Sequence, residues 1–200
     1  MSPIPFACVV RVRDGLPLSA STDFHLDQDF LECRKKLKAL SSLLAQYPDR
    51  GTAQARDLSI HFHSFRGIAC LGICQNSYPA AMAFCFLAEL QWRFSTSYDA
   101  ASVDLASRPY AFIEFDSIIQ KLKNRYSYSN YAPTKFNVEK IQEELCLCPP
   151  VLVKLEDAEL MNGLGNGHAE AHVESAPAYR MQPVSASGIL SLVLNIMCGR

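Results

Sequence analysis

No secretory leader is expected: no Lys or Arg precedes Arg11, and the apolar run Phe6 to Val10 is too short for a signal-peptide core. The chain also has no Asn-x-Ser/Thr acceptor for glycosylation. Both absences predict a reducing, cytosolic setting. There the eight cysteines (8, 33, 70, 74, 85, 146, 148 and 198) are free thiols and not a disulfide framework. Charge of one sign is lacking too, because 19 Lys and Arg stand against 20 Asp and Glu, net −1. That balance removes the global electrostatic reason to expect nucleic acid. No two cysteines have the two-residue gap of zinc or redox pairs, since Cys70 and Cys74 are too far apart and Cys146 and Cys148 too close. The longest apolar run, Gly188 to Gly199, is twelve residues, short of a full membrane span.

What is present begins with a hairpin signal. Cys8, Val10 and Val12 alternate with Val9, Arg11 and Arg13; Asp14-Gly15 follows, and then Leu16, Leu18 and Ala20 alternate with Pro17 and Ser19. Asp-Gly between two period-two runs predicts a hairpin with a type I′ turn, which needs φ > 0 at both central residues. Pro17 donates no N–H, so it belongs at a strand start or on an unpaired edge.

Asp27 or Asp29 can cap a helix whose apolar positions Phe30, Cys33, Leu37, Leu40, Leu44 and Tyr47 step by three and four up to Pro48. Its basic run, Arg34, Lys35, Lys36 and Lys38, reads first as a solvated helix face and second as a patch for anionic lipid or an acidic partner. Leu58, Ile60 and Phe62 alternate with Ser59, His61 and His63; the chain turns at Arg66-Gly67 into Ile68 to Cys74, apolar on both faces and so central. Between Pro48 and Asp57, Gly51 to Gln54 leaves room for one short edge strand. Asn76 to Pro79 opens a helix with a stripe of Ala83, Leu87, Leu90 and Phe94, broadened by Phe84, Phe86 and Trp92. Tyr98 to Ser107 is read as a polar spacer. Phe112, Phe115, Ile119, Leu122 and Tyr126 then repeat at helical spacing, with acidic residues early and basic ones late, as the helix dipole favours. The expected class is α+β: an antiparallel sheet with three amphipathic helices to cover its faces.

After about Ser127 prolines and the Gly163 to Gly167 stretch break long periodicity, so 127–185 reads as a mostly unstructured linker. Val138, Ile141 and Leu145 predict one short helix at 137–145. Residues 186–200 are an apolar tail, a possible start of a membrane span.

Candidate chemistry is sparse. His168 and His172 lie four apart, but the zincin pattern needs Glu directly after the first His and a third ligand. The glycines at 163, 165 and 167 follow no strand and open no helix, unlike a phosphate loop. Tyr126, Tyr128 and Tyr131 near Lys123 and Arg125 fit a helix end better than a base-stacking platform. One rival pairing stays open: Cys70 or Cys74 with His61 or His63, as a nucleophile and base in a soluble cysteine-dependent enzyme. The expectation is no catalytic residue, no metal, no cofactor and no small-molecule substrate.

Three blocks carry a family resemblance: Arg11 to Thr22 (RVRDGLPLSAST), Tyr78-Pro79 leading into Ala83 to Leu90 (AFCFLAEL), and Arg108 to Asp116 (RPYAFIEFD). They lie in the order, and nearly in the wording, of the longin-domain proteins of ER-to-Golgi vesicle traffic, which the chain resembles over residues 4–126. The resemblance implies the longin, or profilin-like, fold: a five-stranded antiparallel sheet sandwiched by three helices, which favours the doubtful edge strand. In SNARE members a coiled coil with a central Arg follows, and the next segment can fold back onto the domain. Here no heptad seam runs through 127–185, so no SNARE motif is expected. The chain is more similar to the SNARE-less, multi-span branch in truncated form, with Ser187 to Gly199 like the start of a first span. It implies a protein-interaction and sorting module at the endoplasmic reticulum membrane, its domain facing the cytosol. Partners would be trafficking proteins: SNAREs, coat or tethering factors. A coat or adaptor-type scaffold subunit is the remaining alternative.

Overall fold

The computed structural model describes residues 2–23, 27–128 and 137–154. Six strands form one sheet in the order β2-β1-β5-β4-β3-β6. They are β1 (Phe6–Arg11), β2 (Pro17–Ala20), β3 (Arg50–Gln54), β4 (Leu58–Phe65), β5 (Ile68–Gln75) and β6 (Val151–Val153). The first five pair antiparallel, and β6 pairs parallel with β3. Helices α1 (Gln28–Ser41), α2 (Ala80–Ser97), α3 (Ala100–Leu105), α4 (Asp116–Tyr128) and α5 (Val138–Leu147) accompany them, with short 3-10 turns at Leu44–Gln46 and Ile113–Phe115; α1 thus stops short of the predicted end at Pro48, and Leu44 packs from the first of these turns.

Strand periodicity assigns each helix to a face, which the sequence alone leaves open. Phe6, Cys8 and Val10 of β1, Ile60 and Phe62 of β4, and Leu71 and Ile73 of β5 point to one side and bury Phe30, Cys33, Leu37 and Leu40 of α1. Ala7, Val9, Cys70 and Cys74 point to the other, where Phe84, Leu87, Leu90 and Phe94 of α2 meet Ile119 and Leu122 of α4. Strand β5 lies between β1 and β4, central as its two apolar faces predict.

The turn chemistry expected at the first hairpin is found at the second. At Asp14-Gly15 only Gly15 has positive φ, +67°, so the turn is not type I′. Strand β1 ends at Arg11, whose amide receives no tight two-residue closure; instead Gly15 N–H donates to Arg11 O and Arg11 N–H to Leu16 O, both at 2.9 Å. The two consecutive positive φ values fall at Arg66 (+49°) and Gly67 (+81°), between the paired Phe65 and Ile68. Pro17 is the first residue of β2, where its missing N–H costs nothing.

Three buried charges tie the layers together. Arg11, 5% exposed, donates to Val103 O and Ala106 O at 2.8 Å and to Asp14, so the first hairpin holds the carbonyl end of α3. Glu89 accepts from Arg93, Arg125 and the Tyr126 hydroxyl, joining α2 to α4. Lys123 donates to Pro5 O and to Asp23. The stretch read as a polar spacer contains α3, capped by Asp99 accepting from Ser102 N–H at 2.8 Å. Its neighbour Tyr98 packs with Phe94 and Phe112. Trp92, expected to widen the packed stripe of α2, is 40% exposed.

Both edges of the five-stranded sheet are covered. Tyr110 and Phe112 N–H donate to Pro17 O and Leu18 O of β2 at 2.7 and 3.0 Å. On the far side β3 is present but is not an edge, because β6 lies outside it. The stretch read as a linker from 127 thus contains a second element beyond its short helix.

Candidate partner-binding surface

Residues 137–154 form a strap across one side of the sheet. Asn137 opens α5 by accepting from Glu139 N–H at 2.8 Å, and Val138, Ile141 and Leu145 face the α2-side core. Ile141 is 6% exposed, while Glu139, Lys140 and Glu143 face outward. Glu144 reaches across to Arg50 of β3 at 2.9 Å. Cys148 ends the helix and Pro149-Pro150 prevents its continuation, so the chain becomes extended.

Strand β6 then aligns Val151, Leu152 and Val153 with Gly51, Thr52 and Ala53. Val151 and Val153 turn toward the α1-side core, and Leu152 is left 74% exposed. Gly51 is required by this approach: a Cβ there would sit 2.3 Å from the Phe62 ring and 2.9 Å from Val151 Cγ1. The strap therefore uses two recognition modes at once, a strand added to a sheet edge and an amphipathic helix laid on a helix. Any extended or helical partner segment offered to these two places meets the strap first.

Beneath α5 and α2 the β3 and β4 strands present a polar row. His61, 4% exposed, has Nδ1 3.0 Å from Thr52 Oγ1 and Nε2 3.0 Å from Ser59 Oγ, with the Phe84 ring edge-on at 5.4 Å. Burial pulls the pKa of His61 down to about 4. His63 also falls to about 4, through burial first and then the Arg50 charge.

This geometry speaks against the cysteine-nucleophile rival. His63 and Cys70 are cross-strand partners, so the sheet does bring one candidate pair together. Burial, however, pushes the Cys70 thiol well above its ordinary range and Cys74 to about 12, opposite to what a thiolate nucleophile needs. Both ring nitrogens of His61 are engaged by hydroxyls. Cys146 and Cys148, on the strap, are the exposed cysteines among the described residues. No group of three or more His, Cys, Asp or Glu able to hold a metal occurs among the described residues. His168, His172, the 163–167 glycines, Tyr131 and the tail all lie outside them. No helix among the described residues is long and apolar enough to cross a membrane.

A cleft of about 110 Å³ lies between α1 and the β3–β4 turn, with Cys33, Lys36, Arg56 and Asp57 in its wall. That is well below the roughly 300–1,000 Å³ usual for a small-molecule site.

Comparison with known proteins turns this architecture into a family. The longin profile, described as a regulated-SNARE-like domain, matches residues 18–119. The chain belongs to the longin family. Vesicle-trafficking protein SEC22c of Homo sapiens is 61% identical over 198 residues, covering 99% of this chain and 65% of that protein. Vesicle-trafficking protein SEC22a of Macaca fascicularis is 41% identical over 203 residues, covering 100% of this chain and 66% of that protein. Protein transport protein sec22 of Schizosaccharomyces pombe is 36% identical over 150 residues, 72% of this chain and 67% of that protein. The chain thus spans slightly less than two thirds of SEC22c and SEC22a. Likeness to SEC22c runs past the longin match and through the strap.

The sequence predicts the strap helix and places Gly51 in a short strand, but it shows neither β6 nor the roles of Arg50 and Gly51 in holding the strap. A β-branched residue on either side of Leu152, directly after Pro149-Pro150, is the one local signal for β6, and three residues are too few to show a period.

Proposed function

We propose that this chain is a non-enzymatic vesicle-trafficking protein acting between the endoplasmic reticulum and the Golgi. Its longin domain faces the cytosol as a protein-interaction and sorting module. One observation carries the reading: the β3 edge and the side of α2 already hold a strand and a helix of the same chain. A surface with a built-in occupant is one on which a partner segment competes with that occupant. The trafficking names of SEC22c and SEC22a support the setting.

In this reading the domain is residues 4–126, residues 127–185 lead away from it carrying the strap, and the apolar stretch within 186–200 holds the chain at the endoplasmic reticulum membrane. Partners are SNAREs, coat or tethering factors, bound without cofactor, metal or nucleic acid. No catalytic residue is assigned.

The test is fractionation of cells expressing the 200-residue chain, with a secretory cargo followed in parallel. Carbonate-resistant recovery with endoplasmic reticulum membranes, and slowed cargo exit when Ile141→Asp frees the strap, are the expected results. Recovery in cytosol with unchanged cargo exit would overturn the proposal.

A further inference from the structure

Helix α1 has an outer face that packing does not use. Phe30, Cys33, Leu37 and Leu40 point into the sheet, which leaves Leu31, Arg34, Lys35 and Lys38 on the opposite side at i, i+3, i+4 and i+7. All four are exposed, Leu31 by 42%. Lys36 lies to one side in an ion pair with Glu32 at 2.7 Å, and Arg34 covers the Phe6 ring at 4.8 Å. Lys35 and Lys38 make no ion pair among the described residues. Exposed Arg56, on the β3–β4 turn, adds its charge near Glu32.

The charge is segregated as well as exposed. In a chain of net −1, α1 carries Arg34, Lys35, Lys36 and Lys38 against Asp29 and Glu32. On the other face of the sheet Arg93 of α2 and Arg125 of α4 are held by Glu89 and Lys123 by Asp23, Lys121 is exposed, and α5 carries Glu139, Glu143 and Glu144 against Lys140. A plane of anionic charge would turn the α1 layer toward itself and α5 away.

We infer that the outer face of α1, Leu31 with Arg34, Lys35 and Lys38, docks on the anionic phospholipid headgroups of a membrane surface. The face is the outer side of a helix, and the cleft of about 110 Å³ beside it has Asp29, Glu32 and Asp57 in its wall along with Lys36 and Arg56. A headgroup plane suits that shape and an acidic peptide seated in a groove does not. Basic side chains attract anionic lipid additively, and a single exposed Leu among them can enter the headgroup layer. This inference rests on the membrane-associated reading of the chain above.

The test uses the full 200-residue chain with phosphatidylcholine vesicles, with and without about 30% phosphatidylserine. Lysine acetylation is read peptide by peptide. Lys35 and Lys38 should be protected on the phosphatidylserine vesicles alone, with Lys121 and Lys140 unprotected, and about 0.5 M salt should abolish the protection. At about fivefold per cation, Arg34→Gln, Lys35→Gln and Lys38→Gln together should lower phosphatidylserine-dependent partitioning on the order of a hundredfold, and Lys35→Gln with Lys38→Gln, which leave the Arg34–Phe6 contact in place, about twenty-five-fold without shifting the thermal midpoint. Carbonate-resistant pelleting from pure phosphatidylcholine reads tail insertion separately. A tail that fails to insert leaves the phosphatidylserine-dependent protection still measurable. Equal protection on both vesicles, none on either, or protection by a polyglutamate peptide but not by vesicles would each overturn the inference.

Discussion

The body of the longin domain and the strap laid on it belong to one sheet but are held by different means. In the body, β1, β5 and β4 are covered on both faces, and Phe62, Leu71 and Phe86 are fully buried. Buried charges such as Glu89 and Arg11 are each met by three or more groups. The strap has Ile141 and Val153 as its buried side chains, one half-exposed ion pair to Arg50, and a three-residue parallel pairing. Such a layer can open at a free energy below that of global unfolding. The difference separates what keeps the fold from what can open without unfolding it.

The largest test of that contrast lies in the body. Phe62→Ala empties a site against Tyr47 and Gly51 and should cost about 3–5 kcal/mol. Urea unfolding followed by far-UV circular dichroism should show body and strap lost in one transition.

Acid probes the polar row under the strap. The folded-state pKa of His61 is depressed to about 4 from an ordinary 6.5, so the unfolded chain binds more protons between those values. Stability is therefore full above about pH 6.5 and declines as pH falls toward 4, by up to about 3 kcal/mol from this residue. In His61→Asn the slope of urea midpoint against pH should flatten over that window.

Gly51→Ala acts where the two regions meet. Its Cβ collides with a core ring on one side and with Val151 on the other, a cost of about 1–3 kcal/mol. Amide exchange at 151–153 should rise more than exchange at β5. The smallest effect belongs to the Arg50–Glu144 pair, side chains 28% and 41% exposed. A double-mutant cycle with alanines should give about 0.2–1 kcal/mol of coupling, weakened by salt.

Much of the body could be read from local pattern. The apolar steps of α1 from Phe30 to Leu40, the Arg66-Gly67 turn and the two-faced β5 are short-range features that recur in the structure, whereas Leu44 and Tyr47 fall beyond the end of α1 at Ser41. The Asp14-Gly15 hairpin was legible as a hairpin but not as a turn type, because Arg11 and Asp14 bond across the loop and fix it by side chains. Helix α3 escaped because its single buried residue, Val103, cannot show a period. For the strap, Val138, Ile141 and Leu145 announce a helix, but where it docks is a matter of contacts with residues some fifty positions earlier. Strand β6 pairs in parallel with a strand about a hundred residues before it, so no turn signal marks it.

The claim that the strap is a separable occupant is tested most directly by amide exchange of the full chain carrying Ile141→Asp. The substitution puts a carboxylate into the α2-side core contact, which the strap can escape by lifting off. Faster exchange at α5, β6 and the β3 amides, with β1 and β5 unchanged, is the predicted result. An unchanged β3, or a uniform rise through β1 and β5, would contradict the account.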